Sequence, residues 1–176
     1  PENVLITSGG IEAIHVVSAT YLNPGDEALI PDPEYSAYAD SVALFGGTPV
    51  FVPLTPDFHF DFELLEKRIS TRTRLMFVSS PGNPTGRVLR VDEIRRLAEL
   101  AVKHDFLLVL DEAYHRLVYG GVDFLSICQV EEVRSRAILL NSFSKTYAMT
   151  GWRVGYMVAD AALVKDMVTF HQAITI

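Results

Sequence analysis

The stretch from Phe106 to Tyr114, FLLVLDEAY, decides the fold. Its first five residues are apolar throughout, which is typical of a central parallel strand that is buried on both faces. Similar short runs, separated by segments with helical spacing of apolar residues, lie at 4–7, 28–31, 49–54, 75–79, 137–140 and 154–158. Strands that alternate with helices predict an α/β fold of three layers, with a mostly parallel sheet and helices on both of its faces.

Helical spacing is clearest between Ile94 and Val102, where apolar residues recur every three or four positions. Glu99 and Lys103 on this helix are placed for an ion pair one turn apart. Further helices are predicted at 11–21, 34–45 and 62–69, and from about Asp160 onward.

Composition excludes several classes of protein. The 176 residues carry 15 Lys and Arg against 22 Asp and Glu, a net charge of −7, and 49% of them are apolar. This length fits one domain, the apolar content excludes disorder, and the acidic balance argues against a nucleic-acid surface. The longest uncharged stretch, 41–56, contains three prolines, so we expect no membrane span and no membrane partner. A single cysteine excludes an internal disulfide and a cysteine-based zinc site.

In parallel sheets of this kind the ligand binds beyond the carboxyl ends of the strands, so the polar residues that follow each strand are the candidates for a site. They form five groups: Ser8-Gly9-Gly10, Asp32 to Tyr35, Gly82 to Gly86, Asp111 to Tyr114, and Ser142 to Lys145.

Asp111 ends the most apolar strand, so its carboxylate is expected to lie at least partly out of water. A buried carboxylate normally takes up a proton unless a cationic partner holds it ionised. The alternative is that Asp111 caps the segment that follows it.

Lys145 differs from the other three lysines, which fall on the polar faces of predicted helices. It follows a strand, and partial desolvation near Arg153 would make its amine a usable nucleophile. The alternative is an ordinary surface lysine.

Ser8-Gly9-Gly10 lies between a strand and a helix, where free backbone N–H groups and the helix dipole can bind a phosphate. A tight structural turn explains the same residues equally well.

The order of the motifs, SGG, DPEY, NPTG, DEAY and SFSKTYAMTGWRVGY, resembles the large domain of the class I and II aminotransferases, which depend on pyridoxal 5′-phosphate. The stretch from Ser142 to Tyr156 is most similar to the bacterial aspartate and aromatic subgroup. The resemblance covers essentially the whole chain.

The resemblance implies a role for each matching residue. Lys145 would form the Schiff base with the cofactor and shuttle a proton, and Asp111 would pair with the protonated pyridine nitrogen. Tyr114 and Asn83 would hydrogen-bond the phenolic oxygen of the cofactor, and Tyr35 would stack on its ring. The phosphate would be held by the amides of Gly9, Gly10 and Ile11, the Ser142 hydroxyl and Arg153. The prolines at 33 and 84 would be cis.

Other polar residues are assigned no chemistry. The five histidines show no metal-ligand spacing, and we expect no metal. His15 is expected to be structural and His115 to lie in a second layer or face solvent. Cys128 is expected to be buried, and Glu112 to be a solvated or helix-start charge.

The predicted function is therefore transfer of an amino group between an amino acid and a 2-oxo acid. Two alternatives stay open: a carbon–sulfur lyase or cyclopropane-forming synthase on the same fold, and an aminotransferase-like sensor domain of a transcription regulator. Family members are more than twice as long, so residues 1–176 are expected to be the cofactor-binding large domain, without the N-terminal arm and the small C-terminal domain. Alone this part would be inactive; the whole protein would be a cytoplasmic homodimer.

Overall fold

The computed structural model describes residues 1–175, which form a seven-stranded sheet. The strands are β1 (Val4–Thr7), β2 (Glu27–Asp32), β3 (Thr48–Pro53), β4 (Thr73–Ser79), β5 (Leu107–Asp111), β6 (Ala137–Ser142) and β7 (Gly155–Ala159). Their spatial order is β1-β7-β6-β5-β4-β2-β3. Strand β7 runs antiparallel to both of its neighbours, and every other neighbouring pair is parallel. The predicted mostly parallel sheet is confirmed.

Helices cover both faces of the sheet. They are α1 (Gly9–Tyr21), α2 (Ala37–Leu44), α3 (Phe62–Arg68), α4 (Val91–His104), α5 (Phe143–Thr146) and α6 (Ala161–Ile174). Short 3₁₀ turns lie at Ile127–Gln129, Glu131–Arg136 and Thr150–Trp152. One apolar core joins the sheet to α1, α2 and α6, and a second joins its other face to α3 and α4. The three layers predicted from the sequence are therefore present.

The apolar stretch in β5 is buried on both faces, as its composition predicts. Leu108 and Leu110 belong to the core under α4, and Val109 belongs to the core under α1. All three are 0% exposed. Because side chains alternate along a strand, Asp111 continues the face of Val109, and Glu112 continues the face of Leu110. This alternation sends two neighbouring carboxylates to opposite sides of the sheet.

Helix α2 begins at Ala37, three residues later than predicted. The carboxylate of Glu34 accepts hydrogen bonds from the Ser79 amide (3.1 Å) and from the Ser79 hydroxyl (2.5 Å). Glu34 therefore ties the loop after β2 to the end of β4, and the helix starts only beyond Ser36.

Two further expectations, one on an ion pair of α4 and one on the turn at Ile127–Gln129, are wrong. Glu99 and Lys103 do not pair: Glu99 accepts from Arg96 (2.8 Å), while the Lys103 ammonium contacts Glu66 on α3, because α3 offers it a carboxylate across the helix interface. Cys128 is exposed, since its neighbour Ile127, 1% exposed, takes the buried position of that turn.

No helix within residues 1–175 has the length and apolar character needed to cross a membrane.

Candidate active site

A cavity of about 230 Å³ opens at the carboxyl ends of the central strands. Nine of the ten residues predicted from the sequence line it: Gly10, Ile11, Tyr35, Asn83, Asp111, Tyr114, Ser142, Lys145 and Arg153. The tenth, Gly9, lies directly behind the Arg153 guanidinium. The structure therefore brings the whole predicted set together.

The amino end of α1 forms one wall of this cavity. The amides of Gly9, Gly10 and Ile11 lie in the first helical turn, where no intrahelical acceptor exists, and Ser8 provides no side-chain cap. Gly9 has a φ of +75°, and a Cβ there would collide with Arg153. A Cβ on Gly155 would lie 2.7 Å from the Gly9 carbonyl carbon. Glycine is needed at both positions, because backbone and guanidinium pack so closely here.

Arg153 supplies the positive charge of the cavity. Its Nη1 donates to the Thr150 carbonyl (3.1 Å), and within residues 1–175 it forms no ion pair with a carboxylate. The Ser142 hydroxyl beside it accepts from the Ser144 amide (3.1 Å). Together with the amides of α1, this guanidinium can bind a dianionic group such as a phosphate.

Asp111 supplies the negative charge. Its Oδ1 accepts from the Ala113 amide (2.9 Å), and its Oδ2 accepts from the Tyr38 hydroxyl (2.9 Å). Burial raises the pKa of Asp111 above its usual value, and these two hydrogen bonds oppose the rise only in part. Within the described residues no cation pairs with it. A cationic group in the cavity would hold this carboxylate ionised, as predicted from the sequence.

Tyr38 belongs to the site and is missed by the sequence reasoning. Its ring is fully buried, stacks on Phe77 at 5.2 Å between centroids and contacts Tyr35 edge to face at 5.6 Å. The signal that could have found it is its place three residues after Tyr35, one helical turn along. The cavity is also lined by Ile14, Ser79, Ala113, Ser144 and Thr150, which were not predicted.

Lys145 lies at the mouth of the cavity in the last turn of α5. Its Nζ is 5.6 Å from the centroid of the Tyr114 ring. The residue is exposed in this chain, so the expected partial desolvation near Arg153 is wrong for the described residues. The reason is that α5 has only four residues and leaves Lys145 at the rim.

The loops that carry Tyr35 and Asn83 have the expected backbone. The peptide bonds before Pro33 and Pro84 are cis, and so is the bond before Pro81, which was not predicted. The Asn83 amide donates to the Ser79 hydroxyl (3.1 Å), which fixes the start of the NPTG segment beside the cavity.

Glu112 differs from its prediction. It is 2% exposed rather than solvated, and its Oε1 accepts from the Ser126 hydroxyl (2.9 Å) and from the Ile127 amide (2.8 Å). Burial raises its pKa to about 7. The sequence carries a signal for this burial, because Glu112 extends the period-two pattern of a strand that is apolar on both faces.

The histidines take structural positions. His15 Nδ1 is 2.8 Å from the Ser41 hydroxyl, and His115 Nδ1 is 2.9 Å from the Glu112 carbonyl, behind the cavity wall. No group of three His, Cys, Asp or Glu side chains that could hold a metal occurs in the part of the chain that the structure describes.

The model of the family "Aminotransferase class I and II" matches residues 1–176. The chain belongs to the class I and II aminotransferase family. Over 170 residues it is 40% identical to the aromatic-amino-acid aminotransferase 2 of Thermococcus litoralis, and over 172 residues it is 36% identical to the aspartate aminotransferase of Pyrococcus abyssi. These alignments cover 96% and 97% of this chain but 44% of each relative.

Solved aminotransferases agree. The aspartate aminotransferase of Thermus thermophilus with maleate matches at a TM-score of 0.94 and 37% identity, covering 99% of this chain and 46% of that one. The aromatic aminotransferase of Pyrococcus horikoshii OT3 matches at a TM-score of 0.93 and 34% identity, covering 98% of this chain and 47% of that one. The resemblance seen in the motifs is confirmed, and the chain spans less than half the length of these relatives.

Enzymes of this family use pyridoxal 5′-phosphate. The cavity fits that group: within the described residues a half-buried carboxylate without a cation faces it at Asp111, and a guanidinium without a carboxylate faces it at Arg153. Lys145 provides an amine at its rim. The two unpaired charges match the protonated ring nitrogen and the phosphate of the cofactor.

Proposed function

We propose that this protein is a pyridoxal-phosphate-dependent aminotransferase that moves an amino group between an amino acid and a 2-oxo acid. The observation that carries the proposal is Asp111, a half-buried carboxylate whose pKa is raised by desolvation and which faces a cavity without a cationic partner in residues 1–175. Keeping such a group ionised requires a cation from a ligand.

Each residue of the cavity would have a defined task. Arg153, the Ser142 hydroxyl and the amides of α1 would bind the phosphate, and Tyr35 would pack on the ring. Asn83 and Tyr114 would donate hydrogen bonds to the phenolic oxygen.

Asp111 would accept a hydrogen bond from the protonated ring nitrogen, with the Tyr38 hydroxyl and the Ala113 amide fixing its orientation. When bound, the cofactor supplies an electron-withdrawing ring. The Nζ of Lys145 would hold the cofactor by condensing with its aldehyde, with release of water, and, once displaced by the substrate amine, would carry a proton to and from the substrate.

The test is Lys145→Ala in the complete protein. We expect loss of covalent cofactor attachment, measured by borohydride reduction and peptide mass, together with loss of turnover. Lys103→Ala is the matched control, because Lys103 pairs with Glu66 on the far side of the sheet and does not line the cavity. Attachment and turnover that survive Lys145→Ala would contradict the proposal.

Product analysis tests the type of reaction. Absorbance of the cofactor should change when a single amino acid is added and return when a 2-oxo acid is added. Aspartate and aromatic amino acids are the first substrates to try, since relatives carry those names. Pyruvate and ammonia released without an acceptor oxo acid would instead indicate a lyase.

We also propose that residues 1–176 are the cofactor-binding large domain of a longer polypeptide that works as a cytoplasmic homodimer and binds no nucleic acid. Exposed aromatic side chains close in sequence to Lys145 and Arg153 support a second copy: Tyr147 is 60% exposed and Trp152 73% exposed. The net charge of −7 supports the absence of nucleic-acid binding, and the single cysteine supports a cytoplasmic location. Sedimentation equilibrium of the complete protein tests the dimer; a monomer at micromolar concentration would contradict it.

A further inference from the structure

Glu112 lies one residue beyond Asp111 but on the opposite side of the sheet. Asp111 lines the cavity. The Glu112 side chain instead lies against the turn at Ile127–Gln129 and is 2% exposed. This side chain does not line the cavity, and within residues 1–175 it accepts hydrogen bonds from Ser126 and Ile127, neither of which is assigned to the reaction. Burying a carboxylate away from the cavity costs free energy, which indicates that Glu112 has a role of its own.

The contacts of Glu112 close a long loop. Residues 112–126 contain no strand or helix, and Glu112 Oε1 joins the two ends of this segment through the Ser126 hydroxyl (2.9 Å) and the Ile127 amide (2.8 Å). We call these three residues the Glu112 clamp. Its hydrogen bonds link the end of β5 to the return of the chain at residue 126, and the rings of His115 and Phe124, 6.4 Å apart, face each other within the loop.

The backbone of Glu112 is fixed on the other side. Its amide donates to the Leu140 carbonyl on β6 (2.8 Å), and its carbonyl accepts from the His115 amide (3.0 Å). The Tyr114 carbonyl in turn accepts from the Leu117 amide (2.7 Å). Tyr114 therefore sits in a compact turn of which Glu112 is the anchored first residue.

We propose that Glu112 is a positioning residue, whose buried carboxyl group holds the turn 111–117 in place and thereby sets Asp111 and Tyr114 at the cavity. A site requires its contacting groups to be held by a second layer of hydrogen bonds, and the Glu112 clamp is that layer for this wall. The inference rests on the proposed function only in that the cavity is taken to bind pyridoxal 5′-phosphate.

The decisive variants are Glu112→Ala, which removes the acceptor, and Glu112→Gln, whose amide oxygen can still accept both hydrogen bonds. Glu27→Ala is the matched control. Glu27 is also buried, at 6% exposure, and also accepts from a serine hydroxyl, that of Ser70 (2.5 Å), but it lies at the start of β2, at the opposite end of the sheet.

The first readout is hydrogen exchange of the cofactor-free complete protein. Glu112→Ala should speed exchange of the amides at 115, 117 and 127 by about tenfold or more, Glu112→Gln should leave them near wild type, and Glu27→Ala should not move them. The second readout is the dissociation constant for pyridoxal 5′-phosphate by equilibrium dialysis. It should rise about tenfold in Glu112→Ala and recover within about threefold in Glu112→Gln.

Unchanged exchange in Glu112→Ala would overturn the inference, and so would a Glu112→Gln variant as impaired as the alanine. If Glu112→Ala does not fold, Ser126→Ala removes one donor of the clamp and should give the same pattern at smaller size. A wild-type protein that fails to bind pyridoxal 5′-phosphate would contradict the proposed function instead, and the exchange data would still decide on the clamp.

Discussion

Acidic side chains form ion pairs at one end of the sheet and lack cationic partners among the described residues at the other. At the amino ends of the strands, Asp26 pairs with Arg74 and Glu27 with Arg72, which joins the starts of β2 and β4. Asp105 pairs with Arg136 in the same way between β5 and β6. The hydrogen bonds from Ser70 and Arg72 lower the pKa of Glu27.

At the carboxyl ends, Glu34, Asp111 and Glu112 form no ion pair among residues 1–175, and burial raises the pKa of all three. One end of the sheet is thus neutralised by its own chain, and the other retains acidic groups that accept hydrogen bonds but lack cations. This difference teaches where a ligand belongs: the end that leaves a buried charge unpaired is the end that receives a charge from outside.

The largest effect is expected at Asp111, where a substitution can remove the unpaired charge from the carboxyl end of the sheet. In Asp111→Asn the amide oxygen can accept from the Ala113 amide and the NH₂ group can donate to the Tyr38 oxygen, so the hydrogen bonds survive while the charge is lost. We expect turnover to fall about a hundredfold or more, because the carboxylate that pairs with the ring nitrogen is gone. Steady-state kinetics of the complete protein measure this.

The same variant has a built-in control. Cofactor-free Asp111→Asn should be at least as stable to heat as the wild type, since the unpaired carboxylate at position 111 no longer has to be desolvated. Wild-type turnover in this variant would show that the unpaired carboxylate has no part in the reaction.

The unpaired carboxyl group of Glu112 should make the free energy of unfolding depend on pH. Its pKa lies near 4.5 in the unfolded chain and at about 7 in the folded protein. Between these values the folded state holds a proton that the unfolded state has lost, so stability falls as pH rises through this window and is constant above it. In Glu112→Gln this loss disappears. The free energy of unfolding of the variant relative to wild type should therefore rise by about 2 kcal/mol from pH 5 to pH 8.

Urea unfolding of both proteins at the two pH values measures this difference. Glu27→Gln is the control. Hydrogen bonds lower the pKa of Glu27, so its carboxylate is largely ionised in both the folded and the unfolded state from pH 5 to pH 8, and the variant should be less stable than wild type by nearly the same amount at the two pH values. A pH-independent difference for Glu112→Gln would mean that this carboxyl group is ionised throughout.

The success of the sequence reasoning and its errors have the same physical origin. The order of strands and helices, and the five polar groups at the strand ends, follow from local patterns, so the cavity residues around Asp111 and Lys145 could be predicted. Partners that come from distant segments could not. Glu99 loses Lys103 because α3 presents Glu66, and Tyr38 reaches Asp111 across 73 positions of sequence.

Burial was the other source of error. Glu112, which was expected to be solvated, is buried, and Cys128, which was expected to be buried, is exposed. Glu112 directly follows β5, and the alternation of that strand indicates its burial, whereas Cys128 follows the fifteen-residue loop 112–126, whose path has no repeating pattern from which burial could be inferred.

A smaller effect is expected at the amino end of the sheet. Arg72→Ala leaves Glu27 with the Ser70 hydroxyl but without its cation, and Arg72 itself is 69% exposed. We expect a loss of about 1 kcal/mol in the free energy of unfolding and no change in the affinity for pyridoxal 5′-phosphate. Thermal unfolding and equilibrium dialysis check the two parts, and weaker cofactor binding would show that the two ends of the sheet are coupled.

The smallest effect is expected at Arg136. Its partner Asp105 is 77% exposed, in a left-handed backbone conformation just before β5. An ion pair so open to water contributes about 0.5 kcal/mol or less, and salt screens it. Arg136→Ala should therefore lower the melting temperature by about 1–2 °C in dilute buffer and by less in 1 M salt. A loss as large as that of Arg72→Ala, or one that salt does not reduce, would mean that Arg136 acts through packing of its side-chain stem, and that pairing is not what distinguishes this end of the sheet at β5 and β6.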